Sequence, residues 1–165
     1  MYEITTKVIA RLKEPASNLW PGLVTGGIYD RKLSKDKEGG TPAAFAPYPG
    51  DPLAIDRVRN SMVILGPNDV GAPSGPVSTE DMQLRNGFLR IFYYVPATST
   101  GKTDLDTMDR LTRAALGGYQ TMLSIGYPVY FQSLDMVEAM DSDEWEHTKV
   151  ASRRILCEWL RPANL

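Results

Sequence analysis

Residues 87–106 read GFLRIFYYVPATSTGKTDLD, and how this stretch divides decides the fold. Its first nine residues are almost continuously apolar, with Arg90 as the only charge. That is the pattern of a central strand covered on both faces. The last eleven, PATSTGKTDLD, lead into a run with helical periodicity, and a strand–loop–helix order is the setting of a phosphate-binding loop. A Walker A loop, however, needs a glycine five positions before the Gly-Lys pair so that successive N–H groups turn toward phosphate. Position 96 is Pro, which fixes φ and donates nothing. No apolar strand ends in an Asp that would hold magnesium, so residues 96–103 read as a polar connection with a helix cap. Lys102 and Thr103 at the helix entrance leave a small anion- or nucleotide-binding module as the alternative reading.

Downstream, Leu105, Met108, Leu111, Ala115, Leu116, Tyr119, Met122 and Leu123 fall on one helical face, and Asp106, Asp109, Arg110 and Arg113 mostly on the other. Thr103 and Asp106 form a T-x-x-D start signal, and Gly126 is placed for the exit. Gly117 and Gly118 inside this helix imply a close neighbour or a local break.

Upstream, Ile4, Val8 and Leu12 recur every four residues with Ile9 beside them, giving a short amphipathic helix that Pro15 ends. LWPGLVTGGIYDRKL reads as a strand bent or bulged at Gly26 and Gly27. Residues 34–60 hold four prolines and three glycines from Lys35 onward and form a long loop. Phe45, Tyr48, Leu53 and Ile55 within it are more apolar surface than a purely solvated loop carries. SMVIL, residues 61–65, is a second strand, closed by Gly66 and Pro67. The C-terminal region reads as two long strands, YPVYFQSLDMVEA and HTKVASRRILCEWL, joined by a polar turn around MDSDEW. In the last strand Ala151, Ile155, Cys157 and Trp159 share one face, with Arg154 and Glu158 on the other. In the strand before it the apolar phase shifts between Phe131 and Leu134, as a bulge would require. The sum is an α+β domain spanning residues 1–165: a mixed, mainly antiparallel sheet of about five strands with two helices packed on one face and a long Pro/Gly-rich loop.

A chain of 165 residues is the length of one ordinary domain. With 42% hydrophobic and 23% charged residues it has a globular composition. Lys plus Arg number 18 against 20 Asp plus Glu, a balance that argues against direct sequence-specific nucleic-acid binding. The single cysteine, Cys157, fits a reducing compartment and reads as a small buried hydrophobe. No apolar run approaches a membrane span, and no basic-then-apolar leader opens the chain, so assembly in the cytoplasm and no membrane partner are expected. The lone histidine, His147, has neither zinc-ligand spacing nor a nucleophile elbow beside it. The acidic residues from Asp135 to Glu146 lack the glycine-punctuated pattern of a calcium loop and read as a solvated hairpin tip. No catalytic residue, metal site or cofactor is therefore expected. The candidate partner-binding residues lie on or beside the long loop: Lys32, Lys35, Lys37, Arg57 and Arg59 as a basic rim, with Phe45 and Tyr48 as apolar anchors.

The order of LVTGGIYDRKL, the Pro/Gly loop, SMVILGPND, FLRIFYYV, the helix DLDTMDRLTRAALGGYQTML and the closing HTKVASRRILCEWLR resembles the tail-terminator, or tail-completion, proteins of long-tailed bacteriophages. The resemblance covers nearly the whole chain as element order and texture, without a diagnostic fingerprint. It implies a mixed sheet flanked by helices and a non-enzymatic virion protein. Its copies would form a ring, commonly a hexamer, that caps the tail tube and meets the head–tail connector. Another neck or tube component of the same tail is the neighbouring reading. The long loop exceeds what the smallest members of that family carry, which bears on the contacts it would make.

Overall fold

The computed structural model describes residues 3–31, 33–34, 53–54, 58–67, 72–73, 82–98, 100–116, 123–124, 128–131, 141–144 and 148–162. In chain order these form α1 (Glu3–Leu12), a 3-10 turn (Pro15–Ser17), β1 (Gly27–Tyr29), β2 (Leu33–Ser34), β3 (Leu53–Ala54), β4 (Ser61–Leu65), β5 (Ala72–Pro73) and β6 (Met82–Pro96). There follow α2 (Gly101–Leu116), β7 (Leu123–Ser124), β8 (Pro128–Phe131), β9 (Asp141–Glu144) and β10 (Thr148–Pro162).

The sheet is built on two strands of 15 residues each, β6 and β10, which pair antiparallel from Met82↔Pro162 to Pro96↔Thr148. Their length follows from composition: Ile91, Phe92, Tyr93, Tyr94 and Val95 on one, and Val150, Ile155 and Trp159 on the other, are β-branched or aromatic residues that fill a pleated surface. β4 pairs antiparallel with the second half of β6, and β1 adds to β4 in parallel, so the sheet is mixed. Across the sheet the order is β1-β4-β6-β10-β8-β7, with β5 on β6 and β9 on β10. The short parallel pair of β2 and β3 stands apart from it.

The chain is thus α+β with a mixed, mainly antiparallel sheet, and the two helices lie on one face of it. Ile4, Val8 and Leu12 of α1 and Leu105, Met108 and Leu116 of α2 are buried. They pack against Met62 and Ile64 of β4, Leu89, Ile91, Tyr93 and Val95 of β6, and Ala151, Ile155, Cys157 and Trp159 of β10. Along β4, β6 and β10 these core residues fall at alternate positions, the period of two that an extended chain imposes.

Several local readings are corrected. The strand expected across Leu19–Leu33 shrinks to β1 and β2, because residues 20–26 are a succession of turns. Gly26 explains the tight path: its N–H donates to Asn60 O at 2.8 Å, and a Cβ there would collide with Ser61 Oγ. Gly27 follows with φ at +110°, where a side chain would be strained. α2 starts at Gly101 rather than at a cap on Thr103, whose backbone carbonyl instead accepts the Thr107 hydroxyl at 2.9 Å. The polar turn expected around MDSDEW is in part a strand, since Asp141–Glu144 pair with Lys149–Ser152. Leu123, expected on the main helix, belongs to β7 and pairs with Val129. Gly117, Gly118, Tyr119, Met122, Gly126, the expected bulge near Leu134 and His147 lie outside the described residues.

Candidate functional site

Because side chains alternate along β6 and β10, each strand sends one set to the helix-covered face and one to the opposite face. Most of the charged chemistry of the sheet comes from the two sets meeting different surroundings.

On the covered face, Asp109 of α2 is only 5% exposed. It had read as a surface residue, but its carboxylate enters the core. Arg153 of β10 donates to it through Nε at 2.6 Å and a terminal nitrogen at 2.9 Å, a forked pairing that matches guanidinium to carboxylate. The Tyr93 hydroxyl donates to the same carboxylate at 3.0 Å. Arg113 Nε lies 3.1 Å from Asp109 Oδ2 without hydrogen-bond alignment. The Tyr93 pKa is raised well above the ordinary tyrosine value, first by burial and then by the Asp109 charge. Asp109, Arg153 and Tyr93 are consumed by one another, and this network ties α2 to β6 and β10. The sequence did carry a signal for it: Arg153 falls in the phase of Ala151, Ile155, Cys157 and Trp159, and a charge in a buried phase needs a partner.

On the opposite face, one end is closed and the other open. Leu33, Val63, Tyr94 and Val150 form a small buried cluster, with Tyr29, Leu65 and Phe92 packed against it. Burial pushes the Tyr94 pKa up to about 12, a backbone hydrogen bond at Leu33 opposing the rise. Two residues from this cluster, cover ends. Arg90 is exposed, and Phe88 is exposed to 48%. Arg154 is exposed and lies over the Phe88 ring, its guanidinium carbon 4.4 Å from the ring centroid. Arg154 stands directly opposite Arg90 in the β6–β10 register, and Leu156 opposite Phe88. Among the described residues no acid pairs with either arginine. A phenyl ring, a leucine and two facing cations therefore form an open patch in the middle of the sheet, where like charges oppose each other at a cost. Continuous apolarity in GFLRIFYYV had implied cover on both faces; among the described residues that cover is complete on one face and partial on the other.

Of the residues expected to bind partners, Arg59 is described and is half-buried. Lys32, Lys35, Lys37, Phe45, Tyr48 and Arg57 lie outside the described residues. At the start of α2, Lys102 and Thr103 are exposed. The loop before them engages its own N–H groups: Thr98 N–H donates to Pro96 O at 2.8 Å, Gly101 N–H to Thr98 O at 3.1 Å and Asp104 N–H to Thr100 O at 3.0 Å. The Asp104 carboxylate, in the first turn, accepts from Asn60 Nδ2 at 3.2 Å. A carboxylate already placed at this helix entrance competes with any incoming anion. A cleft of about 230 Å³ between α1 and α2 is lined by Arg11, Glu14, Ser17, Asn18 and Leu111 among others. Arg11 there is engaged by Glu14 at 3.7 Å and by the carbonyl of Ala115 at 3.2 Å. Among the described residues no group of three or more His, Cys, Asp or Glu side chains is arranged to hold a metal ion, and no helix is long and apolar enough to cross a membrane. Cys157 is buried in the core, and burial pushes its thiol pKa up to about 12.

No protein-family model matches the chain, and no curated protein matches it.

Proposed function

We propose that this protein is a structural subunit of a bacteriophage tail, a tail terminator whose copies close into a ring, commonly a hexamer. The ring caps the tail tube and joins it to the head–tail connector. The observation that carries the reading is the half-covered sheet. The β6–β10 spine presents Phe88, Leu156, Arg90 and Arg154 on the face opposite the one that α1 and α2 cover. A patch that joins an exposed aromatic ring to arginines in the middle of a sheet suits a surface for association. Copies related by a rotation that closes make a ring. The resemblance in element order supplies the tail context, and the α+β fold with helices on one face agrees with it. In this role the protein needs no catalytic residue and no cofactor; it is assembled in the host cytoplasm and resides at the head-proximal end of the tail. Its partners are other copies of itself, the tube protein and the connector.

The test is the native mass of the purified protein together with electron microscopy of the protein alone and on tails. Rings of about six copies, and tails of unregulated length when the gene is deleted, are the expected results. A protein that stays monomeric at high concentration, with tails of normal length in its absence, refutes the reading.

A further inference from the structure

We infer that Arg85 is a binding site for an oxyanion, a carboxylate or phosphate that belongs to a small ligand or to a second copy of this chain. Along β6, Arg85 falls in the phase of Leu89, Ile91 and Tyr93, which enter the core. Its cross-strand neighbour is Trp159, a fully buried member of the same core. Arg85 and Arg153 thus both take the inward phase of the β6–β10 pair, but they meet different surroundings. Arg153 is matched by the Asp109 carboxylate through Nε and a terminal nitrogen. Arg85 meets no carboxylate and no other acceptor among the described residues, and its Nε is buried without a hydrogen-bond partner.

A guanidinium carries five donors and cannot lose its charge. Burying one of those donors unpaired therefore destabilises the isolated subunit. The residue as a whole is half-buried, so the group stands at the border of core and solvent. On the side of β6 away from Trp159 lies the two-residue β5, whose Pro73 is opposite Arg85 and which pairs with no other strand among the described residues. A ligand can approach from this margin. The forked donors of arginine, placed beside an aromatic residue and without a counter-ion, suit the paired oxygens of a carboxylate or phosphate. The site does not depend on ring closure.

Arg85→Met keeps the apolar stem and removes the charge and the donors. Wild type and variant are compared by thermal unfolding and calorimetry in phosphate or acetate against chloride at equal ionic strength, with native mass spectrometry to read association. In dilute chloride R85M is expected to melt about 2–4 °C higher, because the unpaired donor is gone. In phosphate or acetate the wild type should show a saturable rise in melting temperature that R85M lacks, which assigns the site to a free oxyanion. Self-association of the wild type, weakened about tenfold or more in R85M, assigns it instead to an acidic group of a second copy. A general salt effect raises both proteins alike, and equal anion responses together with equal association overturn the inference. Should R85M lose its fold, Arg85→Lys keeps the charge without the fork: a weaker anion response or weaker association than wild type supports the site, and full retention of both overturns it.

Discussion

Three pairs of consecutive residues, Gly87 and Phe88, Tyr93 and Tyr94, Arg153 and Arg154, divide between the two faces of one sheet. On the helix-covered face Arg153 is 9% exposed and gripped by Asp109, Tyr93 joins the same carboxylate, and Gly87 faces Pro67 and Trp159. On the opposite face Arg154 and Phe88 are exposed against each other, and Tyr94 fills a small cluster at the covered end. The same residue type is thus a structural tie on one side and unspent charge on the other. Chemistry at this sheet is set by which side of the pleat a residue occupies more than by what the residue is.

The largest way to break the contrast is to remove the acid on which the covered face depends. Asp109→Ala leaves Arg153 buried without its counter-ion and deprives Tyr93 of its acceptor, and is expected to destabilise the fold by about 3–5 kcal/mol. Asp109→Leu with Arg153→Met, an apolar replacement of both partners, should recover most of that loss. Urea unfolding of the two proteins measures the difference, and equal losses would show that the pairing is not what holds α2 to the sheet.

Alkaline pH strikes both faces at once. Tyr93 and Tyr94 have raised pKa values in the folded protein, so the unfolded chain loses these protons first. Their stabilisation is whole below about pH 10, the ordinary tyrosine range, and is lost as pH climbs through the folded values. For Tyr94 the rise from 10.0 to about 12 corresponds to about 3 kcal/mol across that window. Tyrosinate absorbance should lag in the native protein and appear together with unfolding. Tyr94→Phe should flatten the decline; an unchanged decline would place the alkaline sensitivity elsewhere.

Gly87→Ala and Phe88→Ala compare neighbours directly. A Cβ at position 87 would collide with the Cβ of Pro67, lie 3.0 Å from its Cγ and 3.5 Å from the Trp159 ring, an overpacking worth about 1–3 kcal/mol. Removing the half-exposed Phe88 ring should cost the subunit less than about 1 kcal/mol, because most of the transfer term of a fully buried side chain is missing. Thermal unfolding of the two variants gives the ranking, and the reverse order would mean that Phe88 is covered in the isolated subunit.

How far the sequence foretold this division follows from what periodicity encodes. SMVIL coincides with β4, the pattern of Ala151, Ile155, Cys157 and Trp159 names the inward face of β10, and Ile4, Val8 and Leu12 name that of α1. Each pattern repeats over enough residues to fix a face. The strand read from Leu19 was foreshortened because turn geometry around Gly26 is set by Asn60, far away in sequence. β9 was hidden because Asp, Ser and Glu are poor strand formers, held there by pairing with β10. Asp109 was misplaced because helical phase ranks it with its charged neighbours, whereas its partner sits 44 residues on, in β10. The patch at Phe88 was half legible: Arg154 was assigned an outward phase and Arg90 stood out as the only charge of its strand, but only strand register reveals that they face each other.

The smallest expected effect is also the one that separates the faces most sharply. Arg154→Ser removes a cation–π contact worth about 0.5–1 kcal/mol at an exposed site, and at the same time relieves the repulsion from Arg90 across the strand pair. The two terms oppose each other, so the stability of the isolated subunit should change by no more than about 0.5 kcal/mol. Arg153→Ser, one residue away, strands the Asp109 carboxylate in the core and should cost several times as much. Measured side by side under dissociating conditions, the pair distinguishes a charge retained for the fold from one the fold does not need. A large loss from Arg154→Ser would mean that the open face already contributes to folding, and the case for reserving it for a neighbouring subunit would weaken accordingly.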